Sequence, residues 1–325
     1  MAIYRPKGNL VIASSIEGVF NNGVRECAYI SLNAHQRMLA EKLLKGPSFF
    51  GRMLDMKEFR EVEAINQSET VQAFVALRPL VKKAADYLNI LQLISDWPNE
   101  ARHIIQSKDD AVVAFFTKKF EEKKAQTAPE RLIFDQYFYD ERKARQAQSE
   151  AEWFLLQEPF IDTLSELRIL NQHGYTIHLV TSKDEQSTWD LCRAYSSPLA
   201  GFLEAHDIAL SEEDRVMFGA RKCMIRRECI IGKERMGDKK SKAGQLEISA
   251  ELEGVPPRRV WRLDDMYNAD EVAGMRAAGF NTIFIVKGGY AFDLHYRQAE
   301  KAEIPVVERV GMASFIAEYA CQLGL

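Results

Sequence analysis

The sequence predicts an α/β fold, a Rossmann-like core on a parallel sheet interrupted by an inserted helical domain. Three observations carry that expectation. The apolar run "LVIA" at 10–13 stops at two serines and then the acid–glycine pair Glu17-Gly18. A block from about residue 25 to 156 shows helical periodicity and almost no strand-like alternation. From Pro159 onward helical and strand-like patterns alternate with short connections, the texture of a parallel sheet covered by helices.

Taken in order, the first element is a buried strand over Leu10 to Ala13, whose apolar run is bounded by a turn signal at Glu17-Gly18. In the helical block, "AHQRMLAEKLLKG", "ETVQAFVALRPLVKKAADYLNILQLISDW" and "DDAVVAFFTKKFEEKKAQ" repeat apolar residues every three or four positions. The charge-rich pieces "TKKFEEKKAQ" and "YDERKARQAQSEAE" read as solvated helix faces, and Phe49, Phe50, Trp97, Phe115, Phe116, Phe120, Trp153 and Phe154 as core of the insertion. The later half gives helix "FIDTLSELRILNQHG", strand "YTIHLVTS", helix "KAGQLEISAELEGV", strand "RRVWRLDD", helix "ADEVAGMRAAGF" and strand "NTIFIVKGG". The expected domains are therefore a core of 1–24 with 157–325 and an insertion of 25–156.

Composition narrows the function. The chain has 325 residues, 46% hydrophobic and 28% charged, with a formal net charge of -4. That balance is ordinary for a globular protein and argues against a phosphate-backbone binder, so nucleic acid is not an expected partner. No apolar run approaches the roughly 18 to 20 residues that cross a bilayer, and no long apolar leader opens the chain. A cytoplasmic protein without a membrane partner is expected. The five cysteines, Cys27, Cys192, Cys223, Cys229 and Cys321, have no CxxC spacing and read as reduced thiols. The histidines show no HxH or HxxxH spacing, so histidine is not an expected metal ligand.

Four strand-end positions remain, and their order and spacing resemble the haloacid dehalogenase-like superfamily of phosphatases and related hydrolases. The family opens on a strand followed by DxDG[TV]. Here Glu17-Gly18-Val19 matches its second half and Ser15 falls where the family has its nucleophilic aspartate. A second strand ends in "IHLVTSK", with Thr181 in the phosphate-binding position and Ser182 beside it. Lys240, ahead of a helix, keeps the family's separation from the acids of the fourth motif, "VWRLDDMYNADEVAGMRAAGF". In that motif Asp265 takes the metal position, Asp264 replaces a glycine and Asp270 is the later acid. The helical insertion corresponds to the family's cap.

The resemblance implies roles. Ser15, Glu17, Thr181 and Lys240 would be the catalytic group, and Thr181, Ser182 and Lys240 would hold the phosphate. Glu17, Asp264, Asp265 and Asp270 would hold Mg²⁺, weakened by the loss of the first aspartate. A serine is a poor nucleophile at neutral pH without a base and gives the metal no charge. Two readings follow: a divergent phosphatase-type hydrolase acting on a phosphorylated small molecule through an atypical site, or a catalytically inactive pseudoenzyme. The latter would bind a phosphorylated ligand, or a protein partner through its helical cap. The plain alternative for Thr181 and Ser182 is to cap the helix that follows.

Overall fold

A computed structural model describes residues 3–181, 183–196, 225–239 and 241–325. Ser182 and Lys240 lie outside the described residues. Two compact units appear, one of 1–22 with 159–325 and one of 23–158.

The first unit is a six-stranded parallel sheet. Its strands are β1 (Leu10–Ser15), β2 (Tyr175–Val180), β3 (Ile230–Ile231), β4 (Val260–Asp264), β5 (Ile283–Val286) and β6 (Val306–Val307). They lie in the order β3-β2-β1-β4-β5-β6. In register, Ser15 faces Val180 on one side of β1, and Ser14 faces Leu263 on the other. The chain therefore leaves β1 toward one edge and returns to build the other. At such a switch point, loops from neighbouring strand ends diverge and leave a crevice at the carboxyl ends.

Side chains alternate along each strand, so Val11, Ala13 and Ser15 share a face, as do Val260, Arg262 and Asp264. Val11, Ala13 and Val260 pack there with Val180, Leu246, Val272, Met275 and Ile285. The helices Lys242–Glu253 and Ala269–Ala277 contribute Leu246, Val272 and Met275 to that layer. On the opposite face Trp261 and Phe284 meet Tyr319 edge-on, with centroids 5.7 and 5.4 Å away. The α/β, Rossmann-like class expected from the sequence is the one observed.

The second unit is all-helical, from Val24–Ala40 to Glu150–Leu155. Its ring contacts include Tyr29 edge-on to Phe59 and Phe74 stacked on Tyr87. Two sequence expectations are corrected here. The apolar pattern over 69–97 is broken: helix Glu69–Leu77 ends in a 3₁₀ turn at Arg78–Leu80, and a new helix runs Asp86–Asp96. Pro79 supplies no amide to continue the helical ladder, and Arg78 closes it with a tighter bond from its N–H to Val75 O. The segment "YDERKARQAQSEAE" is not a solvated face throughout, because Glu141 and Arg142 are buried. Arg142 makes two 2.7 Å bonds to fully buried Glu26, which also accepts 3.1 Å from Trp153 Nε1. Phe116, Phe120 and Trp153 are buried, whereas Phe49, Phe50, Trp97, Phe115 and Phe154 are half-buried. No helix of the described residues is long and apolar enough to cross a membrane.

Candidate functional site

The site stands at the carboxyl ends of β1, β2 and β4. Ser15 and Asp264 are the last residues of adjacent strands on the same face, and the Ser15 hydroxyl donates to Asp264 Oδ1 at 2.9 Å. Arg262, two residues earlier on that face, is fully buried. Its Nε and Nη2 donate to Asp264 Oδ2 at 3.1 and 2.8 Å, and Nη2 also donates to the Ser15 hydroxyl. Lys242, in the first turn of the helix beyond β3, brings its Nζ to 3.3 Å from Asp264 Oδ2. The Asp265 amide donates to Asp264 Oδ1 at 3.1 Å.

Asp264 is thus surrounded by donors. Burial by itself would raise its carboxyl, but the Arg262 guanidinium and then Lys242 outweigh it and hold the group well below the usual carboxylate range. A carboxylate held that low is a weak base toward the Ser15 hydroxyl.

The other acids are likewise matched with cations. Glu17 accepts an ion pair from buried Lys183 at 2.9 Å. Asp265 lies against the turn after β1: a Cβ on Gly18 would meet its Oδ2 at 2.0 Å, and one on Gly289 its Cβ at 2.8 Å. Gly18 has φ +79°, so both its conformation and this close approach call for glycine. Arg309 donates to the carbonyls of Gly18 and Val19 at 2.6 and 2.8 Å, and Asp265 supplies the largest opposing charge to its burial. Asp270 is exposed in the first turn of Ala269–Ala277, beyond this group.

At β2, the Thr181 amide donates to Ile231 O at 3.0 Å, and its hydroxyl accepts from the Lys183 amide at 3.1 Å. The helix Glu185–Ser196 is capped instead by Asp184, whose carboxylate accepts from the Ser187 amide at 2.7 Å. Thr181 therefore does not cap that helix, and among the described residues its hydroxyl proton has no acceptor. Arg262 Nη1, although buried, has no hydrogen-bond partner among the described residues. An orphaned buried donor costs about 1–3 kcal/mol, which a bound anion or water would relieve.

The donor set does not fit Mg²⁺ as it stands. Mg²⁺ takes octahedral oxygen ligands from one or two carboxylates and several waters. Asp264 already gives both oxygens to protein donors and Glu17 is paired with Lys183, so two of the three acids would have to leave a cation to hold the ion. Around the acids Glu17, Asp264 and Asp265 stand the cations Lys183, Lys242, Arg262 and Arg309.

Sequence reasoning missed those four cations. For Arg262 a signal existed: alternation in "VWRLDD" places it on the buried face with Asp264. Lys183 and Lys242 carried no pattern distinguishing them from neighbouring lysines.

No family model and no curated protein matches the chain. Solved structures do resemble it. A predicted phosphatase from Clostridium acetobutylicum has a TM-score of 0.46 and 10% identity, covering 98% of this chain and 100% of its own. A predicted phosphoglycolate phosphatase from Haemophilus somnus 129PT has a TM-score of 0.46 and 13% identity, covering 94% of this chain and 97% of its own. A haloacid dehalogenase-like family hydrolase from Streptococcus pneumoniae has a TM-score of 0.43 and 13% identity, over 95% and 98%. Over nearly its whole length, then, this chain is similar to solved haloacid dehalogenase-like hydrolases and phosphatases.

Proposed function

We propose that this chain is a phosphatase-type relative of the haloacid dehalogenase-like hydrolases that binds a phosphorylated small molecule without divalent metal and without covalent catalysis. The observation that carries the reading is the Arg262 guanidinium, held between Ser15 and Asp264 by three hydrogen bonds. It supplies, from within the chain, positive charge beside the strand-end acid. Guanidinium forks match phosphate geometry, and a hydroxyl such as that of Thr181 can donate to a phosphoryl oxygen. Lys183, Lys242 and Arg262 bring positive charge to the strand ends beside Glu17 and Asp264. Ser15, with its proton given to a weak base and its lone pair to Arg262, orders this network and does not attack phosphorus.

A protein partner on the helical insertion draws less support. Its exposed large apolar side chains, Leu43, Val62, Leu132 and Ile133, belong to different segments apart from the last two, and scattered side chains of that kind are normal on any surface.

The test is phosphate release from a broad panel of phosphoesters, with Mg²⁺ or with EDTA, beside calorimetric titration of inorganic phosphate. The expected result is no Mg²⁺-dependent turnover, with phosphate bound in EDTA and bound about tenfold or more weakly by Lys242→Ala, the loss of a charge-assisted contact. The Ser15–Asp264 hydrogen bond favours a second reading, serine-based hydrolysis. Turnover abolished by Ser15→Ala would establish it and overturn the first.

A further inference from the structure

We propose a second site, for a zinc-class transition metal ion, formed by His178, Cys229 and Glu253. These residues come from three separate segments: the middle of β2, the turn entering β3 and the last residue of helix Lys242–Glu253. Their ligand atoms all lie within 4.8 Å of one another. His178 Nε2 is 3.0 Å from Glu253 Oε1, and Cys229 Sγ is 3.9 Å from the same oxygen. A tetrahedral zinc ion, with bonds of about 2.0 Å to nitrogen and oxygen and about 2.3 Å to sulfur, sets those separations at about 3.3 and 3.5 Å. Side-chain adjustments of a few tenths of an ångström bring the three into coordination.

The surroundings suit an ion. His178 and Cys229 are buried, and the Glu253 carboxylate is oriented from behind: Asn9 Nδ2 donates to Oε2 at 2.9 Å, while Thr176 Oγ1 donates to Asn9 Oδ1 at 2.7 Å. Outer partners of this kind fix a ligating carboxylate. The His178 Nε2 proton is donated to Glu253 Oε1, so metal binding moves it to Nδ1, which has no hydrogen-bond partner among the described residues and so meets no competing donor. Arg226 also reaches Glu253 Oε1, at 2.6 Å, but its side chain is 54% exposed. Turning it into solvent frees Oε1 for the ion.

On binding, the Cys229 thiol yields its proton to solvent and the thiolate and carboxylate together balance a divalent charge. Nitrogen, sulfur and oxygen together select zinc over Mg²⁺. The site is separate from the strand-end network, because the 12-residue helix that carries Lys242 at its start carries Glu253 at its end, about 16 Å away at 1.5 Å per residue.

The test strips the full chain with chelator and titrates Zn²⁺ in competition with a zinc indicator, then repeats the titration with Co²⁺ by absorption. Expected are one tight equivalent of Zn²⁺, a sulfur-to-cobalt charge-transfer band, loss of both in Cys229→Ser, and about 10–100-fold weaker binding in Asn9→Ala. Cys321→Ser, at an exposed cysteine, should change nothing. No tight equivalent in the wild-type chain, or tight binding without a thiolate band, overturns the proposal, as does a tight equivalent that survives in Cys229→Ser. If Cys229→Ser fails to fold, the wild-type and Cys321→Ser cobalt spectra decide. None of these readouts depends on phosphate binding or turnover.

Discussion

Replacing Arg262 by methionine removes a buried cation while keeping much of its volume, and the structure sets the size of the effect. Three hydrogen bonds from the guanidinium are lost, two to Asp264 and one to Ser15. At about 1.5–3 kcal/mol for each bond involving a charged group, the gross loss exceeds 4 kcal/mol, but the protein has an escape. Asp264 can take up a proton, and moving a carboxyl from an unfolded value of about 3.9 to neutrality at pH 7 costs about 4 kcal/mol. That cost caps the damage, and Lys242, which stays 3.3 Å away, reduces it further. The expected destabilisation is about 3–4 kcal/mol at pH 7, as for breaking other buried ion pairs.

The pH dependence identifies the cause. In the wild-type chain the Asp264 carboxyl is depressed, so its contribution is present above the unfolded value and is lost only as pH falls through the folded one, below the usual carboxylate range. In the variant the folded state holds the proton that the unfolded state has released. The deficit then shrinks by about 1.4 kcal/mol per unit as pH falls from 7 toward 5. Urea unfolding read by hydrogen exchange in peptides covering Val260–Asp264 measures this directly, and Arg262→Met/Asp264→Leu should recover most of the loss. A single variant within about 1 kcal/mol of wild type at pH 7, or a deficit constant across pH, refutes the reasoning.

Three further outcomes follow from other places in the chain. Gly18→Ala sets a Cβ 2.0 Å from Asp265 Oδ2 at a φ of +79°, so a loss above about 1 kcal/mol and a Tm lower by at least about 2 °C are expected; an unchanged Tm would contradict the close approach. Glu26→Ala leaves the buried Arg142 fork and Trp153 Nε1 without their acceptor, and should cost about 3–5 kcal/mol, read as faster hydrogen exchange in helix Val24–Ala40. His35 is held at about 4 by burial, so its folded form stays neutral while the unfolded form charges below about 6.5. Stability should therefore drop by about 3 kcal/mol between pH 6.5 and 4, and His35→Phe should flatten that slope in a denaturation series.

The sheet was legible because its signals are local: a short apolar run before Glu17-Gly18, and strands and helices alternating after Pro159. That alternation forces right-handed crossovers onto a parallel sheet, whereas the order of the strands carries no local signal. The break at Pro79 was passed over in the apolar periodicity of 69–97, although its signal is local, since proline acts on its own neighbours. What the sequence hid is pairing across long separations. Glu26 and Arg142 stand 116 positions apart, so a charge-rich helix looked solvated where two of its residues are buried. His178, Cys229 and Glu253 share no spacing pattern, because three elements bring them together. At the strand ends the acids drew attention through a motif, whereas the cations beside them belong to no motif. Arg262 alone could have been placed in advance, by counting in steps of two from Asp264.

The central claim is that cations of the chain itself take the part of a metal at the strand-end site, and the most direct measurement is the affinity for inorganic phosphate in EDTA and in excess Mg²⁺, by calorimetry. The account predicts one phosphate bound with the same affinity under both conditions and weakened by Lys242→Ala. Binding that appears only when Mg²⁺ is added, and disappears in Asp265→Asn, would contradict it.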